Sequence, residues 1–217
     1  MPNFATILFD LDGTLIDHFA AIHRSHSHTL RQLGLPAPTL AQVRAAVGGG
    51  LEHAIAQLIG PARVPEALPI YRAYWDATML DDVVLLPGAL ELLQSLHSRG
   101  TKLAVFTNKA GPSSRLICAH LGLAPFLHGN FGANDTAWLK PQPEFARHVF
   151  AQLAATPATT LLVGDSTFDI AGAHNAGLPC WAVTTGTHTA DELRAAGADA
   201  VFDGLPAIGD ALAVLPR

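Results

Sequence analysis

Short, strongly apolar runs recur along this chain at residues 5–9, 102–107, 161–164, 180–184 and 200–202. Runs of that length, apolar at successive positions rather than alternately, are what parallel strands buried on both faces require. Between them, residues 89–98, 112–121, 143–153, 168–176 and 191–196 carry apolar side chains at helical spacing. Gly100, Gly122, Gly177 and Gly197 follow helical patterns, where a helix commonly ends in a left-handed residue that only glycine adopts freely. Strands alternating with helices predict an α/β fold built on a doubly wound parallel sheet.

Residues 16–84 break that rhythm. Phe19, Ile22, Leu30 and Leu33 share one helical face, Leu51, Ile55, Leu58 and Ile59 another, and no buried strand is expected among them. The segment therefore reads as an all-helical insertion of residues 16–84 into a core made of residues 1–15 and 85–217. Leu15-Ile16 and Leu85 to Gly88 are the expected hinges, the second because of its Pro87-Gly88 pair.

The polar residues at the strand ends carry the chemistry. Asp10 and Asp12 stand at i and i+2 where the first strand stops, at the sheet edge where open parallel sheets bind ligands. Asp165 and Asp169 lie just beyond another apolar run. Four carboxylates brought together would repel one another, so a hard divalent cation with oxygen ligands, magnesium above others, is the expected counter-charge. Asp169 also suits the first turn of the following helix, and both roles stay open for it. Thr107-Asn108 ends a third strand, and Lys140 stands before Pro141. A hydroxyl and a lysine there would orient and neutralise phosphate oxygens. Of the other two lysines, Lys102 reads as a solvated surface group and Lys109 is undecided.

Composition narrows the ligand. A formal charge of −5 offers no general basic field for nucleic acid or an anionic membrane, so a small phosphorylated metabolite is the expected partner. Cys118 and Cys180 are too few for a disulfide framework and read as reduced core thiols. Neither a leader nor an apolar span of membrane length stands out, so a cytoplasmic monomer or homodimer is expected.

Taken in order, Asp10-Leu11-Asp12-Gly13-Thr14, Thr107-Asn108, Lys140-Pro141 and Gly164-Asp165-Ser166-x-x-Asp169 resemble the haloacid dehalogenase superfamily. The likeness is to its phosphatases with a Rossmann-like core and a helical cap, and it runs almost end to end. It implies Asp10 as the nucleophile and Asp12 as the general acid and base. It also implies Mg2+ held by Asp10, the Asp12 carbonyl and Asp165 with Asp169 in support, and a phosphoryl group held by Thr107 and Lys140.

Among relatives on this scaffold, Asp12 and Asp165 argue against a dehalogenase. The absence of lysine between Ile16 and Val84 argues against a phosphonoacetaldehyde hydrolase. A sugar-phosphate mutase and a binding module without catalysis are the remaining alternatives.

Val47-Gly48-Gly49-Gly50 resembles the cap loop of phosphoglycolate phosphatases, which makes 2-phosphoglycolate the first substrate expected and Gly49 and Asn108 its contacts. Arg24, Arg44 and Arg72 are further donors to a carboxylate. Thr184 to His188 and Phe168 depart from that pattern, leaving sugar phosphates, nucleotides and pyrophosphate open. His18, His23, His26 and His28 lack the i, i+4 spacing of a helical zinc pair and are expected at the surface, except that His18 is expected to face the cleft and sense the substrate's charge.

Overall fold

The computed structural model describes residues 4–214; the ends of the expected core, 1–3 and 215–217, lie outside the described residues. Six strands form one parallel sheet: β1 (Thr6–Phe9), β4 (Lys102–Ala110), β5 (Gly129–Ala133), β6 (Thr160–Gly164), β7 (Cys180–Val183) and β8 (Ala200–Phe202). Their spatial order is β5-β4-β1-β6-β7-β8, which puts β1 in the middle. The chain winds one way from β1 through β4 and the other way through β6, so the carboxyl ends of these three strands flank a topological switch point.

Strand alternation fills both faces. Ile7 and Phe9 of β1, Leu103 and Val105 of β4, and Leu161 and Val163 of β6 pack on one side. There they meet α5 (Ala89–Ser98), α6 (Gly111–His120) and α10 (Leu205–Val214). Leu8, Ala104, Phe106 and Leu162 point the other way, against α7 (Pro143–Leu153), α8 (Thr167–Asn175) and α9 (Ala190–Ala195). Cys118 and Cys180 are both buried and unbridged, as expected.

Residues 16–84 hold α1 (Phe19–Gln32), α2 (Leu40–Ala46), α3 (Leu51–Ile59) and α4 (Val64–Thr78). Phe19, Ile22 and Leu30 are buried, while Leu33 at the helix end is half-buried. The expectation of no strand here needs correcting at its margins. β2 (Ile16–Asp17) pairs antiparallel with β3 (Val84–Leu85), so the two chain crossings form a short ribbon where hinges were expected. Leu86 N–H closes it onto the Leu15 carbonyl at 3.0 Å.

Two further elements escaped the sequence pattern. β5, Gly-Asn-Phe-Gly-Ala, has no β-branched residue and forms at the sheet edge by pairing with β4. α10 is nearly continuous in apolar residues, so no helical period marks it. β4 runs on to Ala110, and its register with β5 shifts between Phe106 and Ala110. Such an irregularity re-aims side chains, and here it falls on Thr107, Asn108 and Lys109.

Candidate active site

Asp10 leaves the end of β1 with its N–H still paired to the Val163 carbonyl at 2.9 Å. The chain then turns tightly: Leu15 and Ile16 N–H return to the Leu11 carbonyl, and Gly13 adopts φ +86°, a conformation other residues enter only under strain. Thr185 Oγ1 donates to the Gly13 carbonyl at 2.7 Å and fixes the turn. Asp10 and Asp12 thus face the same space and are both more than nine-tenths buried.

Lys140 Nζ donates to Asp10 at 2.7 Å and to Asp169 at 2.6 Å, with 3% of the residue exposed. Gly172 leaves room for its stem: a Cβ there would lie 3.3 Å from Lys140 Cγ. Asp169 fills the helix-start role expected of it and also pairs with Lys140. One oxygen meets Lys140, and the other accepts from the Ser166 N–H at 3.0 Å and hydroxyl at 2.6 Å, closing a capping box on α8. Thr14 and Thr187 hydroxyls and the Thr187 N–H hold Asp165 at 3.3, 3.0 and 2.8 Å.

Carboxylate oxygens of Asp10, Asp165 and Asp169 lie within 4.8 Å of one another. One lysine cannot neutralise three buried acids, and burial pushes Asp10 up to about 6 against the pull of Lys140. Burial and the neighbouring Asp10 charge also raise Asp165 well above the carboxylate range. A hard cation with oxygen ligands fits this excess of buried negative charge, and these three residues could hold it.

Asp12 differs. Burial would raise it, but Lys109 and His18 outweigh that cost and keep its carboxyl well below the usual range. Lys109 Nζ reaches both Asp12 oxygens at 2.9 and 3.0 Å and lies 4.5 Å from the centre of the Trp75 ring. The lysine that sequence left undecided is thereby placed against the second aspartate. Its position directly after Asn108 was the available signal, but the shift in β4 register decides where it points. Lys102 is not a free surface group: it is half-buried and donates to the Leu153 carbonyl at 2.7 Å.

The expected substrate contacts divide. Thr107 and Gly49 line a cavity of about 870 Å3 that opens from Asp10 and Asp12 toward α1 and α4. Asn108 also borders it, but its amide is engaged by protein: it donates to the Gly48 and Lys140 carbonyls, each at 2.9 Å, and accepts from the Lys140 N–H at 2.8 Å. Its side chain positions Lys140 rather than reaching for a ligand.

His18 does not face the cleft. It is fully buried behind Asp12, with Nε2 donating to the Met79 carbonyl at 2.6 Å and Nδ1 3.6 Å from the Asp12 carboxylate. Nor are the other histidines all at the surface: His26 is 99% buried, because α1 is covered by α2 and α4, and only His23 and His28 stay partly open.

The turn at Thr184 to His188 braces the site, and its Thr187 also borders the cavity. A Cβ at Gly186 would overlap the Asp165 carboxylate, so Gly186→Ala is expected to destabilise the protein by roughly 1–3 kcal/mol through overpacking. Urea unfolding reads this, and an unchanged midpoint would remove Gly186 from the brace. Phe168 packs against Gly48 and lies edge-on to His53, joining α8 to the glycine loop.

The family model for haloacid dehalogenase-like hydrolases matches residues 7–183. The phosphoglycolate phosphatase of Caulobacter vibrioides is 34% identical over 210 residues, which cover 92% of this chain and 87% of that protein. A 5'-nucleotidase of Pseudomonas aeruginosa is 34% identical over 195 residues, 89% of this chain and 88% of the relative. A crystal structure described as a predicted phosphoglycolate phosphatase from Haemophilus somnus 129PT superposes with a TM-score of 0.90 at 25% identity, covering 97% of this chain and 99% of that one.

Proposed function

The chain belongs to the haloacid dehalogenase-like hydrolase family and is a phosphatase, and on that premise we propose that it hydrolyses a small organic phosphate monoester through an aspartyl-phosphate on Asp10. The observation that carries this reading is the placement of Asp10 and Asp12 at one strand end, both facing the cavity, with Lys140 on the first carboxylate and Lys109 on the second. Asp10 attacks phosphorus, a P–O bond forms to its carboxylate, and the ester P–O bond breaks. Asp12 gives its proton to the departing alkoxide. Water then attacks the same phosphorus, Asp12 takes the water's proton, and the P–O bond to Asp10 breaks to free phosphate.

Asp12 must carry a proton for the first half of that cycle. The negative charge of an incoming phosphate, together with competition for Lys109, raises its affinity for one. Lys140 and the Thr107 hydroxyl neutralise and orient the transferring oxygens. Asp10, the Asp12 carbonyl and Asp165, with Asp169 in support, would hold Mg2+, which would supply the positive charge needed for an anionic nucleophile to approach an anionic phosphate.

Residues 16–84 act as a cap over a core of 1–15 and 85–217. Two facts support this division: both chain crossings fall in the β2–β3 ribbon, and the cavity takes walls from either side. 2-Phosphoglycolate remains the substrate carried from the sequence, supported by the Caulobacter relative. The Pseudomonas relative and the 870 Å3 of the cavity favour a larger substrate as the second reading.

The test is phosphate release from a panel of esters with magnesium and with a chelator. Chelation is expected to lower turnover by about 100-fold or more, with added magnesium restoring it. Undiminished turnover in chelator would overturn the metal assignment; no release from any ester would overturn the phosphatase mechanism proposed for Asp10.

A further inference from the structure

Lys109 is placed where it can govern Asp12. It falls in the irregular end of β4, and its N–H donates to the Thr107 hydroxyl at 3.2 Å. Its ammonium donates to both Asp12 oxygens, with 8% of the lysine side chain and 10% of the aspartate side chain exposed. Both residues border the cavity. His18 does not share this hold: its Nε2 is engaged by the Met79 carbonyl, and its Nδ1, 3.6 Å from Asp12, has no hydrogen-bond partner among the described residues. The direction of the Asp12 carboxylate therefore rests on one ammonium.

That ammonium is itself seated. It lies over the Trp75 ring, whose negative π face attracts a cation. Trp75 belongs to α4, in residues 16–84, yet it is buried and its indole N–H donates to the Ser113 hydroxyl of α6 at 3.1 Å. A lysine stem is long and flexible and loses its aim easily; an aromatic face behind the ammonium and a carboxylate in front of it leave it one position.

We propose that Lys109 is the positioning residue of the general acid: seated on Trp75, it holds one Asp12 oxygen so that the other faces the departing alkoxide. This rests on the phosphatase reading and adds to it a residue outside the four motifs that carry the family resemblance. A general acid works only within hydrogen-bond reach of the oxygen it protonates, and a misplacement of about 1 Å costs on the order of 100-fold.

The experiment measures kcat/KM of the wild type, Lys109→Met and Lys109→Arg on three esters. The phenolate of p-nitrophenyl phosphate departs without a proton, whereas the alkoxides of 2-phosphoglycolate and glycerol 3-phosphate need one. Because the alcohol leaves before water attacks, kcat/KM reads the step that uses the acid and not the later one. Lys109→Met is expected to lower it about 100-fold on the alkyl esters and less than about 5-fold on the aryl ester, and Lys109→Arg to recover part of the alkyl loss. Equal losses on all three would assign Lys109 to binding phosphate or to packing, and would overturn the proposal. So would a gain of the alkyl esters over the aryl one, since a lysine acting by charge alone keeps Asp12 unprotonated and its removal would favour the acid.

Trp75→Phe, which keeps a ring and loses the bond to Ser113, is expected to show the same split at about 10-fold, and it decides the matter if Lys109→Met does not fold; an even loss counts against the proposal. Should the wild type hydrolyse no alkyl ester, crystal structures of wild type and Lys109→Met decide Lys109, and if the aryl ester fails as well the Asp10 mechanism falls separately. An Asp12 carboxylate turned to another rotamer in the variant supports the proposal, and one left in place overturns it.

Discussion

Asp10→Asn is expected to lose turnover by about 10,000-fold or more while becoming more stable than the wild type in metal-free buffer near pH 7.5. The two halves have one cause. Burial raises Asp10 from the ordinary aspartate value to about 6, so its ionised form is what the folded protein disfavours. A group whose folded pKa is raised contributes stability that is fully present below the unfolded value near 4 and lost as pH rises through 6. At pH 7.5 the wild type has lost that contribution, and a neutral isosteric amide has nothing to lose.

The variant should therefore unfold at higher denaturant by about 1–3 kcal/mol at pH 7.5, with the difference closing by about pH 4. Lys140 keeps Asp169 as a partner in the variant, so no buried cation is stranded. Magnesium should stabilise the wild type more than the variant. An inactive variant that is also less stable at pH 7.5 would mean that Asp10 is held by its ion pair rather than strained by burial.

Lys140→Met is expected to have the largest combined effect, a loss of about 1,000-fold in turnover and about 3–5 kcal/mol in stability. The side chain is almost fully enclosed, and Asp10 and Asp169 draw its pKa above the lysine range although burial alone would lower it. Methionine fills a similar volume, so packing is largely kept and what is lost is the charge. Asp10 and Asp169 are then buried without a cation, and folding drives protons onto them.

The destabilisation should be greatest near pH 8 and shrink toward pH 4, where protonated carboxyls no longer need the lysine. Divalent cation should recover part of the stability and little of the turnover. A stability gap that does not change with pH would assign Lys140 a packing role only.

What the sequence made legible is what backbone periodicity and strand-end position encode. Asp10, Asp12 and Asp165 sit at the carboxyl edge of a parallel sheet, where a short apolar run followed by an acid is readable in one dimension, and Lys140 is marked by the proline after it. Lys109 was not, because a register shift in β4 rather than the strand period sets its direction. His26 was misplaced for another reason: lacking the spacing of a metal pair it was expected at the surface, but α2 and α4 cover it. Thr187 lies in a turn whose partner, Asp165, is 22 positions away, and β5 exists only because β4 offers it an edge. Each omission is a tertiary contact overriding a local pattern.

The Asn108 amide ties two distant pieces of chain together, and this gives the enzyme an interlock. One NH2 group serves both the Gly48 carbonyl of the glycine loop and the Lys140 carbonyl, while the amide oxygen takes the Lys140 N–H. If the loop withdraws, Asn108 loses one of the three bonds that hold it, and the backbone beneath the lysine is correspondingly freer. Reactivity and enclosure would then rise and fall together: a phosphate in an open cleft would meet a slack lysine, and only a shut one would meet it aligned.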